Sequence, residues 1–150
     1  MAINRPTFMN NCIYFTASHL FRELERLASE SFAPTSMAPA YTYIMLMINA
    51  NDGLTMTELA DAFDYEQSTL SRMVQKLVSR GWIEKKRRGH QIHLYITTSA
   101  VDILPVMENA LNQFRTLSDE MMGGRAEKLH ASHAMLTATE RAQTHLAIEK

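Results

Sequence analysis

Between Thr55 and Thr97 the apolar residues change period, from three-and-four spacing to strict alternation, and this constrains the fold more than any other feature of the chain. Thr55-Met56-Thr57-Glu58 opens a short helix as a capping box, in which Thr55 caps the N-terminus and Glu58 reaches back to the Thr55 backbone. Leu59, Ala60 and Phe63 then face inward, and Asp64-Tyr65-Glu66 forms a turn. A second helix is predicted over Gln67–Ser79. At ~100° per residue, Leu70, Met73, Val74, Leu77 and Val78 share one face, Ser68, Arg72, Gln75 and Ser79 lie opposite, and Thr69 and Lys76 flank them. Gly81 suits the C-terminal cap. From Trp82 the pattern becomes two strands, Trp82–Arg87 and Gln91–Thr97, with Ile92, Leu94 and Ile96 alternating with Gln91, His93 and Tyr95. Arg88-Gly89-His90 is the turn between them, and Gly89 is free to take positive φ. Helix, turn, helix and basic two-stranded ribbon are the parts of a winged helix-turn-helix, placed at about 38–97.

The outward face of the second helix carries hydroxyls, an amide and cations, and no acid. Arg grips the acceptor edge of guanine, Gln pairs with adenine, and Ser and Thr serve bases or phosphates. Charge is concentrated in the same place. Glu66 to His90 holds seven Lys/Arg against two acids, while the rest of the chain holds eight against fourteen, for a net charge of −1. A basic patch on an otherwise acidic protein is the electrostatic footprint of phosphate binding.

The flanks read as helices. A helix over 10–32 carries Ile13, Ala17, Leu20, Leu24, Leu27 and Ala28 as an apolar stripe widened by Phe15 and Phe21, and ends before Pro34. Pro39 occupies the first turn of the next helix, which runs to about Asn49 and is apolar on most faces, so its Met residues fill core. After the hairpin, Val101, Leu104, Met107, Leu111, Phe114, Leu117 and Met121 form a further stripe, with Pro105 near its start and Gly123-Gly124 breaking it. From 125 to 150 the chain is helical again, as one helix or as two restarting at the box Thr137-Ala138-Thr139-Glu140. The flanks at about 8–33 and 98–150 are expected to set two copies of the reader apart. At 150 residues with 46% apolar content, the whole of 1–150 suits one mainly α domain with a small β-wing. No apolar run reaches the ~20 residues of a membrane span. Met1–Asn11 lacks the charged and apolar regions of a signal peptide, and the one cysteine, Cys12, makes no intrachain disulfide. A cytoplasmic location is the expectation.

The strings Leu54-Thr55-Met56-Thr57-Glu58-Leu59-Ala60, Gln67-Ser68-Thr69-Leu70-Ser71-Arg72-Met73-Val74-Gln75-Lys76-Leu77 and Arg80-Gly81-Trp82-Ile83-Glu84-Lys85 resemble the multiple-antibiotic-resistance regulator (MarR) family of bacterial transcription factors, over essentially the whole chain. The resemblance implies a homodimer that binds a pseudo-palindromic double-stranded operator as a repressor, with helices from both chain ends interlocked. It places the recognition helix, here 67–79, in the major groove and the wing, here 83–97, near the minor groove. The recognition role carries onto Ser68, Thr69, Ser71, Arg72, Gln75 and Lys76, and the wing role onto Arg87, Arg88 and His90. The family's wing often has an Asp-x-Arg motif, whereas this turn is shorter and has no Asp.

The resemblance also implies a crevice for a small-molecule effector, anionic or aromatic, between the dimerisation helices and the winged domain. Tyr14, His19, Tyr41 and Tyr43 are its candidate lining. Cys12-Ile13-Tyr14-Phe15-Thr16-Ala17-Ser18 looks like the start of the first helix in the organic-hydroperoxide-sensing branch. That leaves a thiol-based oxidation sensor using Cys12 as an alternative, beside a small buried core residue. A further alternative is a winged-helix module that binds protein instead of DNA, since fold does not fix function. His130 and His133, at i and i+3, lack the further ligands of a metal site, and Cys12, His19 and Glu23 are loosely placed for one. There is no Gly-rich phosphate loop and no paired carboxylate arrangement, and Ser18 and His19 point apart as neighbours on a helix. Neither an enzyme nor a bound cofactor or metal is expected.

Overall fold

The computed structural model describes residues 5–148, so the outermost residues of the expected 1–150 unit lie outside it. The elements run α1 (Thr7–Asn10), α2 (Ile13–Phe32), α3 (Pro39–Ala50), α4 (Met56–Phe63), α5 (Gln67–Ser79), β1 (Ile83–Arg88), β2 (Gln91–Ile96), α6 (Ile103–Met121) and α7 (Arg125–Ile148). Single 3₁₀ turns at Ala33–Thr35 and Thr98–Ala100 lead into α3 and α6. Among the described residues, no helix is long and apolar enough to cross a membrane.

One core joins the winged part to the helices beside it. Ile44, Met45 and Ile48 of α3, Leu59 of α4, Leu70, Val74 and Leu77 of α5, Ile83 and Leu94 of the ribbon and Met107 of α6 are buried together. Met37, Met47, Met56 and Met73 fill the spaces at its margin, as unbranched side chains do. α4 and α5 both end on defined caps, and α4 also starts on one. At the start of α4, Glu58 N–H donates to Thr55 Oγ1 at 3.2 Å, while Thr55 N–H and Oγ1–H both donate to Glu58 Oε2 at 2.8 Å. At its end, Asp64 takes φ 52°, and Tyr65 N–H and Asp64 N–H return to the Ala60 and Asp61 carbonyls. That is a Schellman pairing, with Asp in the left-handed position it tolerates better than most residues. The same pairing closes α5, where Gly81 at φ 77° and Trp82 donate to Val78 and Leu77.

Several expectations change in detail. The first helix is broken at Asn11-Cys12, leaving the short α1 ahead of α2. Ile13 and Phe21, placed in the apolar stripe, are 81% and 60% exposed, Ile13 at the start of α2 and Phe21 at the lip of an open cleft. Val101 is also exposed, since it lies in the turn before α6 and not on the helix. Arg88 pairs with Gln91 as a strand residue, so the turn shrinks to Gly89-His90 with positive φ at Gly89 alone, as the first position of a two-residue II′ hairpin requires. The segment after Gly123-Gly124 is one helix. The box at Thr137–Glu140 does not restart it, since the helix runs unbroken through those residues.

Two donors from Thr55, the backbone N–H first and the hydroxyl second, hold the Glu58 carboxyl below its ordinary value. A depressed carboxylate stabilises the fold above its unfolded value near 4.5, and that contribution disappears as pH falls through the lower folded value. By removing the helix cap, Thr55→Ala should cost about 0.5–2 kcal/mol in urea unfolding at neutral pH. Glu58→Gln should flatten the acid limb of the stability profile. Unchanged midpoints for both variants would remove the capping box from the account.

Candidate nucleic-acid interface

α5 presents a polar face because its other face is committed. Leu70, Val74 and Leu77 are fully buried, and Met73 and Val78 pack at the edge of the same core. This leaves Ser68, Ser71, Arg72, Gln75, Lys76 and Ser79 exposed and Thr69 half-buried. Arg72 is lightly held, with Nη2 donating to Thr69 Oγ1 at 3.5 Å. Gln75 is held by the wing, because Lys85 Nζ donates to its Oε1 at 3.1 Å. Lys76 leans away from the row, and its ammonium lies 5.2 Å from the centre of the Tyr41 ring on α3. Of the six expected reading residues, Ser68, Ser71, Arg72 and Gln75 form one open row, with Thr69 and Lys76 on its flanks.

The ribbon divides the wing cations between two faces. Strand pairing sets Ile83, Lys85 and Arg87 on the side of Ile96, Leu94 and Ile92, and Glu84, Lys86 and Arg88 on the side of Tyr95, His93 and Gln91. On the second side Lys86 pairs with Glu84 at 2.8 Å, a hydrogen-bonded ion pair that holds the Lys86 ammonium above its ordinary value. Lys86 and Arg88 both lie over the Tyr95 ring, at 4.7 and 6.0 Å. On the first side Arg87 Nε donates to the Gly89 carbonyl at 3.3 Å. His90 is exposed at the tip. The two wing arginines therefore diverge, and Arg87 shares the face that carries Lys85. Sequence reasoning did not find the Lys85–Gln75 contact, although period-2 alternation from Ile83 puts Lys85 on the inward side.

The expected effector residues do not converge. Cys12 is half-buried at the N-cap of α2, where its carbonyl accepts Thr16 N–H at 2.9 Å and Thr16 Oγ1–H at 3.0 Å. Tyr14 is 83% exposed, and the His19 ring packs at a tilt against Phe15 with ring centres 4.3 Å apart. Of the five, Tyr43 alone lines a cleft of about 410 Å³, beside Phe21, Leu24, Tyr65 and Phe114. Glu25 is the charged residue of that lining, and no Lys or Arg of the described residues joins it. Burial holds the Tyr43 phenol above its ordinary value of 10.0, against the pull of Arg115, so its O–H is a donor at neutral pH. Tyr65 comes from the turn between α4 and α5, and nothing in a turn tripeptide marks it as part of a cleft with α2 and α6. Among the described residues, no group of three His, Cys, Asp or Glu is placed to hold a metal ion.

Comparison with known proteins bears on the family pattern and the fold. The sequence pattern of the MarR family matches residues 35–91. No curated protein matches the chain in sequence. Among solved structures, the repressor CouR bound to a 23-mer DNA duplex is similar at a TM-score of 0.79 and 17% identity, over 93% of this chain and 99% of that one. PcaV from Streptomyces coelicolor, in complex with its natural ligand, is similar at 0.78 and 16%, over 95% and 99%. A cysteine-to-serine mutant of MarR from E. coli complexed with operator DNA is similar at 0.73 and 19%, over 90% and 99%. Residues 35–91 thus match the MarR-family pattern, in a chain whose fold is similar to those of the solved MarR regulators.

Proposed function

We propose that this chain is a dimeric, sequence-specific DNA-binding transcriptional regulator, a repressor without enzymatic activity, that lays α5 in the major groove and brings the ribbon near the minor groove. The observation that carries this reading is the open row Ser68, Ser71, Arg72 and Gln75. It is a polar face with no acid, fixed in direction by three fully buried residues behind it and flanked by a basic ribbon. Relatives of the same fold solved on DNA, CouR and E. coli MarR, support it. Arg72 and Gln75 read base edges. Ser68, Thr69, Ser71 and Lys76 position α5, and Arg87, Arg88 and His90 act on the backbone or in the minor groove. Duplex DNA selected from a random library should carry two half-sites about one helical turn, roughly 34 Å, apart. Arg72→Ala should weaken binding to that duplex by about 1–3 kcal/mol and relax preference at one base pair per half-site. Equal binding of parent and variant, with equal base preference, removes Arg72 from the reading set.

The reading treats 1–150 as one unit, with 38–97 as the reader and the helices at 8–33 and 98–150 as the dimer contact. Phe8, Ile13, Tyr14, Leu129, Met135 and Leu136 lie on those flanks and are 43–83% exposed, an apolar surface that a second copy would cover. Sedimentation should show a species of twice the 17.1 kDa chain mass that persists on dilution. A monomer at micromolar concentration would count against the two-fold operator.

The cleft beside Tyr43 and Tyr65 is the proposed effector site. Its volume, about 410 Å³, suits a small ligand. Four aromatic residues and Glu25 favour a neutral or cationic aromatic compound over an anion, because ring faces and a carboxylate both attract positive charge. Tyr65 links such a ligand directly to the start of α5. In a thermal-shift comparison, an aromatic amine should raise the melting temperature and the isosteric aromatic acid should not. The reverse order would refute the charge assignment.

A further inference from the structure

Lys85 is a wing cation that reaches back to α5. It is half-buried on the face of β1 that begins with the buried Ile83, whereas Lys86 and Arg88 lie on the opposite face with Glu84 and Tyr95. From there its ammonium donates to Gln75 Oε1 at 3.1 Å. An ammonium has protons to give and no lone pair. The contact therefore fixes the amide: the carbonyl of Gln75 turns toward Lys85, and the NH₂ is left for the open side of α5. Left to itself, a glutamine pairs with adenine through both ends, accepting from N6 and donating to N7. Here the accepting end already holds one proton donor and sits beside a positive charge, which opposes the positive protons of the adenine amino group. The guanine edge offers two acceptors, O6 and N7, and no donor. It fits a glutamine held with its NH₂ outward.

We propose that Lys85 is a specificity-determining positioning residue, which orients the Gln75 amide as a donor and sets the base read at that position to guanine in preference to adenine. The proposal rests on the DNA-reading function above and extends it to a residue outside the recognition helix.

The test uses the full chain and selection from a library of random duplexes, comparing parent, Lys85→Met, Lys85→Arg and Gln75→Ala. The position contacted by Gln75 is the one whose preference Gln75→Ala flattens. At that position the parent should select guanine, Lys85→Met should move the guanine-to-adenine ratio toward adenine by about ten-fold, and Lys85→Arg should restore the parental ratio. Lys85→Met in the Gln75→Ala background should change no base preference. If Lys85→Met weakens every duplex by the same factor and lowers the salt slope by about one, Lys85 is a phosphate contact and the proposal is overturned. Unchanged selection by Lys85→Met overturns it equally. Failure of the parent to select any sequence sinks the DNA-reading function itself, an outcome distinct from the other two.

Discussion

Beside the shared core, a short stretch of backbone pairing joins the ribbon to the helix-turn-helix and sets its placement. Leu94 N–H donates to the Leu54 carbonyl at 2.9 Å, Thr55 and His93 form an isolated antiparallel bridge, and His93 Nδ1 meets the Gly53 carbonyl at 2.7 Å. The residues that extend β2 by a short third edge are the same ones that lead into the Thr55 cap of α4. The start of one helix and the tilt of the wing are therefore set together. Leu94 is fully buried at this junction, so sliding the ribbon by one residue would carry it to the opposite face of the sheet. With the register fixed in this way, Lys85 falls opposite Leu94 and within reach of α5.

The basic patch separates into charges with different uses. Arg80 lies 5.2 Å from the Trp82 ring, Lys76 the same distance from Tyr41, and Lys86 and Arg88 share Tyr95. A ring face orients a cation without neutralising it, so the long-range attraction for a polyanion survives these contacts. Of the seven cations, Lys86 alone among the described contacts is matched by an acid, Glu84. The patch therefore keeps most of its field while losing much of its conformational freedom. Less side-chain entropy is then left to lose on binding.

The reader was legible in the sequence because its elements are determined locally. The α5 limits follow from an uninterrupted apolar stripe, and its end follows from Gly81. The Thr55–Glu58 box forms as its spacing requires. What the sequence did not disclose is non-local. The cleft draws Phe21 and Leu24 from α2, Tyr43 from α3, Tyr65 from a turn and Phe114 from α6, and no window of sequence contains that set. The tyrosines chosen by resemblance illustrate the difficulty. Tyr41 and Tyr43 sit two residues apart on α3 and face different partners, Lys76 for one and Phe32 for the other. The wing was misjudged by one residue at its turn, which is enough to send Arg87 and Arg88 to opposite faces.

α7 poses the remaining physical question. It is a 24-residue helix with almost no amphipathic bias, and its side chains from 132 to 145 are exposed. It is pinned near its start by Lys128, which pairs with Asp119 and donates to the Arg115 carbonyl at 3.2 Å on α6. Further along, Gln143 donates to Asp64 at 2.8 Å, at the turn that leads into α5. An isolated helix draws little stability from propensity alone, and helices of folded proteins depend on packing of one face. The Lys128 and Gln143 contacts tie the helix to its neighbours without packing an apolar face along its length. The missing cover lies on the same flanks as the exposed Ile13, Tyr14 and Phe8. On the proposed dimer reading, a second copy bringing the same apolar flanks would cover both. Because α7 reaches Asp64 through Gln143, its position is tied to the turn from which α5 and Tyr65 both depart.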